Sequence, residues 1–257
     1  MKNEHEIVKI LHEEEKLGQF QSKIQNTYKK LKIPNISLDK KSNPKSYMLL
    51  NTKIVTTEDI ESGNIEKLRL IKGEVKAVTL LTDKTYIIKH KGENGITRVE
   101  EEIKKMGLPF EYNAIKSPST FYPLSIRVAS LLATKKVFGW DDNQMKEMGR
   151  MAPKNSVFTK LLLRYLISLK KMAKEIPRHW KRHYTIGLMD PGELHEDDKH
   201  LIIRLRDFNT HPIMCTYLSG YFIGTVELLS DFINLTIEEV KCMHKGDDYH
   251  KFIIRWE

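Results

Sequence analysis

Cysteine is scarce: Cys215 and Cys242 are the only two in 257 residues. So few exclude the disulfide framework of a small secreted domain and leave free thiols or metal ligands. Long apolar runs are missing too. The longest goes from Pro212 to Val226, closed by His211 and Glu227, short of the roughly 20 residues that cross a bilayer. No membrane insertion is therefore expected. Met1 to Glu15 carry charge where a signal peptide needs an apolar run, which predicts a cytoplasmic chain. The sequence has no Gly-rich phosphate loop, no nucleophile elbow and no carboxylate pair suited to acid/base work. A non-catalytic protein is expected.

What is present suffices for a core: 40% hydrophobic residues in several periodic segments, under a formal charge of +9. Residues 1 to 31 read as a charged helix with Ile10, Leu17, Ile24 and Leu31 spaced by sevens. A Pro-, Asn- and Ser-containing linker follows from Ile33 to Asn51. The boundary is placed by about Ile71, giving a helical N-terminal extension over 1–71 and a second domain over 72–257. In that domain, Val75, Ala77, Thr79 and Leu81 alternate with more polar neighbours. With Tyr86 to Ile88 after an Asp-Lys turn, they predict strands. Helices are predicted over 95–106, from Pro123 to Gly139, over 141–150, over 156–174 with Ser156 as cap, and from Pro212 to about Phe232. Tyr184, Ile186 and Leu188, then Leu201, Ile203 and Leu205, alternate as strand faces, and strands over 236–242 and 250–256 close the chain. This order makes the fold α+β, an antiparallel sheet with a helical layer on one side.

The last quarter gathers four metal-competent side chains: Cys215, Glu239, Cys242 and His250. Thiolate, imidazole and carboxylate donors can together fill a tetrahedron around Zn²⁺. Strand parity that turns Val240 inward also turns Cys242 inward, and His250 shares its face with Phe252, Ile254 and Trp256. Glu239, three residues before Cys242, would face the other way in a regular strand, so a bulge or turn must intervene. His211 and His244 are rival fourth ligands. Two buried free cysteines acting as small hydrophobes are the plain alternative.

The stretch from Glu239 through Cys242, Gly246, Asp247 and His250 to Phe252 resembles the C-terminal signature of 4-vinyl-reductase-type ligand-binding domains, Glu-x-x-Cys-x-x-x-Gly-Asp-x-x-Cys-x-Phe. That family shares a superfamily with heme nitric-oxide-binding sensors and vesicle transport-particle subunits. Weaker likeness extends over about 72–257, through Tyr122-Pro123, Gly149, Gly187 and the Gly220/Gly224 pair. The resemblance implies a zinc ion held by Glu239, Cys242, His250 and Cys215, with His250 where the family usually has a second cysteine. It also implies a small hydrophobic ligand, sensing without catalysis, and a homodimer through the helical layer. The aromatics available for a pocket are Phe121, Tyr122, Phe158, Tyr165, Tyr217, Tyr221 and Phe222, all placed on predicted helices.

Other signals carry less. Tyr122-Pro-Leu-Ser125-Ile-Arg127 is similar to the Tyr-x-Ser-x-Arg heme-propionate clamp of the nitric-oxide sensors but has one residue too many, so heme is not predicted. His179 and His183 stand four apart among cations, and His195, Glu196, Asp198 and His200 crowd one turn, where Lys199 spoils the zinc-protease spacing. Residues 154–183 hold nine Lys/Arg against Glu175 alone. That field leaves a nucleic-acid-associated regulator as one alternative. An interaction scaffold resembling the transport-particle subunits is another, and a protein partner could engage 1–71.

Overall fold

The computed structural model describes residues 68–155 and 168–257. The chain divides between Thr52 and Lys53, and the described residues all lie in the second part. The expected helix over 1–31, the linker, most of the helix begun at Ser156, and the pocket candidates Phe158 and Tyr165 fall outside them.

In chain order the described elements are β1 (Glu74–Lys76), α1 (Ala77–Lys105), β2 (Phe121–Pro123), α2 (Leu124–Phe138), α3 (Asp142–Asn155), α4 (Leu169–Lys181), β3 (Leu188–Met189), β4 (Glu193–His195), β5 (His200–Arg206), α5 (Pro212–Leu229), β6 (Thr236–Lys241) and β7 (Tyr249–Arg255). The fold is α+β. β1 and β2 form a small antiparallel pair, and the larger sheet runs β3-β5-β7-β6 with β4 also on β5, every pairing antiparallel. Alternation in β5 and β7 sends Leu201, Ile203 and Leu205 and their partners Ile254, Phe252 and His250 to one buried face. α5 lies on that face, with the rings of Phe222 and Phe252 5.2 Å apart.

The strands expected over 75–88 are a correction: after Lys76 the chain is helical. Ala77, Leu80, Asp83 and Ile87 are buried at helical spacing. Asp83 is no turn residue; its carboxylate pairs with Arg127 at 2.5 Å, each side chain 1% exposed. α1 is broken at Gly92, whose φ of 69° is left-handed. Phe121 and Tyr122, expected on a helix, form β2 instead. α4 starts afresh at Leu169, where the Ser168 side chain accepts from the Lys171 N–H, and it runs past Pro177. Of the strand expected through Tyr184, Ile186 and Leu188, Leu188–Met189 alone pairs with β5, while Tyr184 bridges to Val75.

α5 opens on His211, whose Nδ1 accepts from the Ile213 N–H at 3.0 Å, with Pro212 in the first turn. It packs on α3 at backbone distance. A Cβ on Gly220 would stand 1.8 Å from the Lys146 carbonyl oxygen, and one on Gly224 2.0 Å from that of Arg150. The small-residue spacing is thus spent inside the chain. Arg150 and Lys154 of α3 close the same seam on Glu227, Arg150 Nη2 at 2.5 Å and Lys154 Nζ at 2.6 Å.

Candidate ligand cavity and four-donor cluster

The four residues singled out in the last quarter converge. Cys215 lies in the first turn of α5, Cys242 follows β6, Glu239 is on β6 and His250 on β7, and one donor atom of each lies within 4.8 Å of every other. The two sulfurs are 3.9 Å apart, Cys215 Sγ is 3.6 Å from His250 Nδ1, and His250 Nδ1 is 2.9 Å from Glu239 Oε1.

Of the bulge or turn expected here, the structure has the bulge. Register shifts between Glu239, opposite Phe252, and Lys241, opposite Lys251. The extra residue is Val240, which is 40% exposed. Its expected inward direction is therefore corrected; the bulge turns it out so that Glu239 and Cys242 share one interior. The turn is built by its own residues: Gly246 takes a φ of 96°, and Asp247 accepts from the Cys242 N–H at 2.8 Å. His250 Nε2 donates to the Phe208 carbonyl at 3.3 Å, which leaves the Nδ1 lone pair for the cluster. Burial, then the nearby Glu239 carboxylate, pushes both thiols above their ordinary range. Of the rivals, His211 serves as the cap of α5, and the His244 ring lies 5.4 Å from that of His250. The donor set can hold a thiophilic cation.

A cavity of about 270 Å³ lies between α4, α5 and the sheet, walled by Met172, Ile176, Met189, Ile203, Phe222 and Val226, with Trp180, His179 and Tyr221 along one side. A second space of about 70 Å³ adjoins the same His179, Trp180 and Tyr221 and reaches Tyr217 and Arg127. His179 Nε2 and the Tyr221 hydroxyl are 3.2 Å apart. Burial, helped by the His183 and Arg182 charges, drives His179 down to about 3, so its imidazole is neutral.

Phe222 and Tyr221 thus line the larger cavity, and Tyr221 and Tyr217 the smaller. Phe121 and Tyr122 line neither; Phe121 lies under Lys76 and Tyr122 against Phe110. Sequence reasoning missed Met172, Ile176, His179 and Trp180, which shared a helix whose basic side drew notice first. The His179–His183 pair is occupied locally, His183 Nδ1 lying 3.0 Å from the His179 carbonyl. His195 and His200 stack at 4.4 Å on the β4–β5 turn. No described helix is long and apolar enough to cross a membrane.

No family model matches the sequence, and no curated protein matches it. Solved structures do. An H-NOX protein from S. oneidensis, in its Fe(II)NO ligation state, superposes with a TM-score of 0.54 and 15% identity over 71% of this chain and 99% of that one. An oxygen-binding H-NOX domain related to soluble guanylate cyclases, as its oxygen complex, gives 0.52 and 14% over 71% and 95%. A third, described by heme redox potential modulated through protein-induced porphyrin distortion, gives 0.50 and 15% over 71% and 95%. This chain therefore has the H-NOX fold.

Those neighbours correct one expectation. The cofactor chemistry they name is heme iron, so zinc is overturned as the cofactor of this fold. Heme itself does not fit the residues present here. Arg127, the last residue of the clamp-like stretch, is already committed as the counter-ion of buried Asp83 at 2.5 Å, with its guanidinium 4.7 Å over the Tyr217 ring. The apolar cavity, about 270 Å³, is below the ~300–1,000 Å³ of clefts that enclose larger ligands.

Proposed function

We propose that residues 72–257 are a non-catalytic sensor domain of the 4-vinyl-reductase type that binds a small apolar molecule between α4 and α5 and signals through the packing of those helices. The observation that carries this reading is the apolar cavity at the α4–α5 contact. It favours ligand binding over a scaffold whose pocket is closed by its own side chains. The H-NOX fold supports it at the level of architecture, and the 239–252 signature supports the 4-vinyl-reductase-type assignment within that fold. A ligand inserted beside Met172, Ile176 and Tyr221 must change how α4 leans on α5 if it is to be sensed.

The four-donor cluster has a supporting role in this reading. A metal ion held by Cys215, Glu239, Cys242 and His250 fastens the start of α5 to the β6–β7 hairpin. The fixed end of α5 is then the anchor against which its cavity-lining turns can shift. Homodimerisation and engagement of a protein partner through 1–71 belong to the same proposal.

The test is thermal unfolding of the purified chain against a panel of small lipophilic compounds and a native cell extract. Binding raises Tm by mass action, and Val226→Phe, which fills the cavity, removes the shift. A Tm that ignores every compound and the extract rejects the sensor reading.

A further inference from the structure

The cavity walls also say what kind of molecule would occupy them. Four polar side chains border the apolar interior, and all four have partners within the protein. His179 Nε2 faces the Tyr221 hydroxyl at 3.2 Å, Thr225 Oγ1 donates to the Tyr221 carbonyl at 2.8 Å, and Trp180 Nε1 donates to the Ile186 carbonyl at 3.0 Å. His179 is neutral, because burial holds it far below ordinary histidines. The interior therefore offers a guest no charge, and its four polar side chains are already engaged with one another or with the backbone, so a charged head placed there would be poorly met.

The mouth is the opposite. Lys171, Arg178 and Arg182 border it from α4, with Glu175 the single acid. Glu175 is 3.6 Å from Arg178. Neither Lys171 nor Arg182 pairs with a described carboxylate. Three cations against one acid give the entrance a net charge of +2, over walls of low dielectric that strengthen its field.

We propose that the ligand is an acidic amphipath: an apolar body that fills the interior and a single carboxylate left at the mouth among Lys171, Arg178 and Arg182. This rests on the sensor reading above and names its ligand class. Size sets the body. A cavity of about 150 Å³ takes benzene, so by proportion about 270 Å³ takes roughly ten or eleven non-hydrogen atoms, the size of a medium-chain fatty acid. A cationic amphipath would meet repulsion at the mouth, and a neutral one would forgo the attraction.

Calorimetric titration of the full chain with octanoate, octan-1-ol and octylammonium, with tryptophan emission followed in parallel, tests this. Octanoate is expected to bind about tenfold tighter than octan-1-ol at low ionic strength, with the gap narrowing as salt screens the mouth. Lys171→Glu with Arg178→Glu is expected to abolish the preference for octanoate, weakening octanoate far more than octan-1-ol. Equal affinity for acid and alcohol, or tighter binding of octylammonium, overturns the acidic head while the cavity reading stands. Binding to anionic phospholipid vesicles without binding of octanoate also overturns it and makes the basic face a membrane contact. Failure of all three probes together with a Tm response to other lipophiles removes this ligand class alone. Failure of every compound removes the sensor reading and this inference with it.

Discussion

Arg127 Nη1 meets Asp83 Oδ2 at 2.5 Å in the middle of the helical layer, with both side chains 1% exposed. The Tyr217 hydroxyl donates to the other carboxylate oxygen at 2.7 Å, and its ring lies under the guanidinium at 4.7 Å. Burial pushes the Asp83 carboxyl up, opposed by the Arg127 charge and by the hydrogen bonds from Tyr217 and Arg127. One pair thus joins α1, α2 and α5. Removing one partner strands a buried charge, so Asp83→Ala is expected to cost about 3–5 kcal/mol. Asp83→Leu with Arg127→Met, which leaves no charge behind, should recover most of that. Urea unfolding of the single and double variants checks it; equal losses would mean that packing, not charge, is what the site needs.

Gly220 and Gly224 set how near α5 comes to α3. A methyl at 1.8 Å from the Lys146 carbonyl oxygen overlaps backbone that cannot rotate away. Gly220→Ala is therefore expected to force the helices apart, at about 3 kcal/mol or more. For a domain of this size that is a fall of roughly 6–12 °C in Tm. Gly246→Ala serves as the contrast. No atom lies within 4 Å of its Cβ position, and its left-handed φ alone carries a cost of about 1 kcal/mol.

Much of this was legible in the sequence, for reasons that can be located. β5, α5 and β7 were readable because each buries one face on a regular period, and the donor cluster because its residue types are rare and its hairpin short. An irregularity was legible as a requirement: in a regular strand Glu239 would face away from Cys242, so a bulge or a turn had to intervene, and the structure uses a bulge. It was not legible that Val240 would be the residue expelled. The first half of α1 was hidden because Asp83 and Lys84 read as a turn. What makes Asp83 a core residue is an arginine 44 positions later. The cavity escaped notice because α4 shows its cations to solvent and its Met172, Ile176 and Trp180 face can be told from ordinary core only once α5 is in place. What the Gly220/Gly224 pair serves was not legible, because the carbonyls it admits belong to Lys146 and Arg150 on α3, about 70 positions earlier.

On the proposal that the four-donor cluster holds a metal ion, removing that ion should loosen the end of α5 without unfolding the helical layer. Dialysis against a strong chelator is expected to lower Tm by about 8–16 °C, the equivalent of some 4 kcal/mol for an ion bound at a thousand times its Kd. Cys242→Ser should melt low from the outset and no longer respond to the chelator. Elemental analysis of the untreated protein gives stoichiometry and element together. A chain that carries no metal and ignores the chelator would reduce the cluster to two buried thiols beside the Glu239–His250 contact.

Acid should weaken the cavity wall through His179. Its pKa in the folded chain is depressed from 6.5 to about 3, so the unfolded chain takes up the proton first. The stability tied to the neutral ring is complete above pH 6.5 and drains away as pH falls toward 3, by up to about 1.4 kcal/mol per unit. His183, lowered by the same burial, adds to the slope. His179→Gln can keep a hydrogen bond to Tyr221 but has nothing to protonate, so its stability should fall less steeply over that interval. Glu227 marks where the next loss begins. Burial raises its pKa, but the hydrogen bonds from Arg150 and Lys154 outweigh this and hold it below 4.5, so the α3–α5 clasp gives way under more acid conditions still. Urea titrations from pH 7 to 4 on the wild type and His179→Gln separate the two: identical slopes would show that His179 is protonated in the folded chain as readily as in the unfolded one, and that water already reaches the cavity wall.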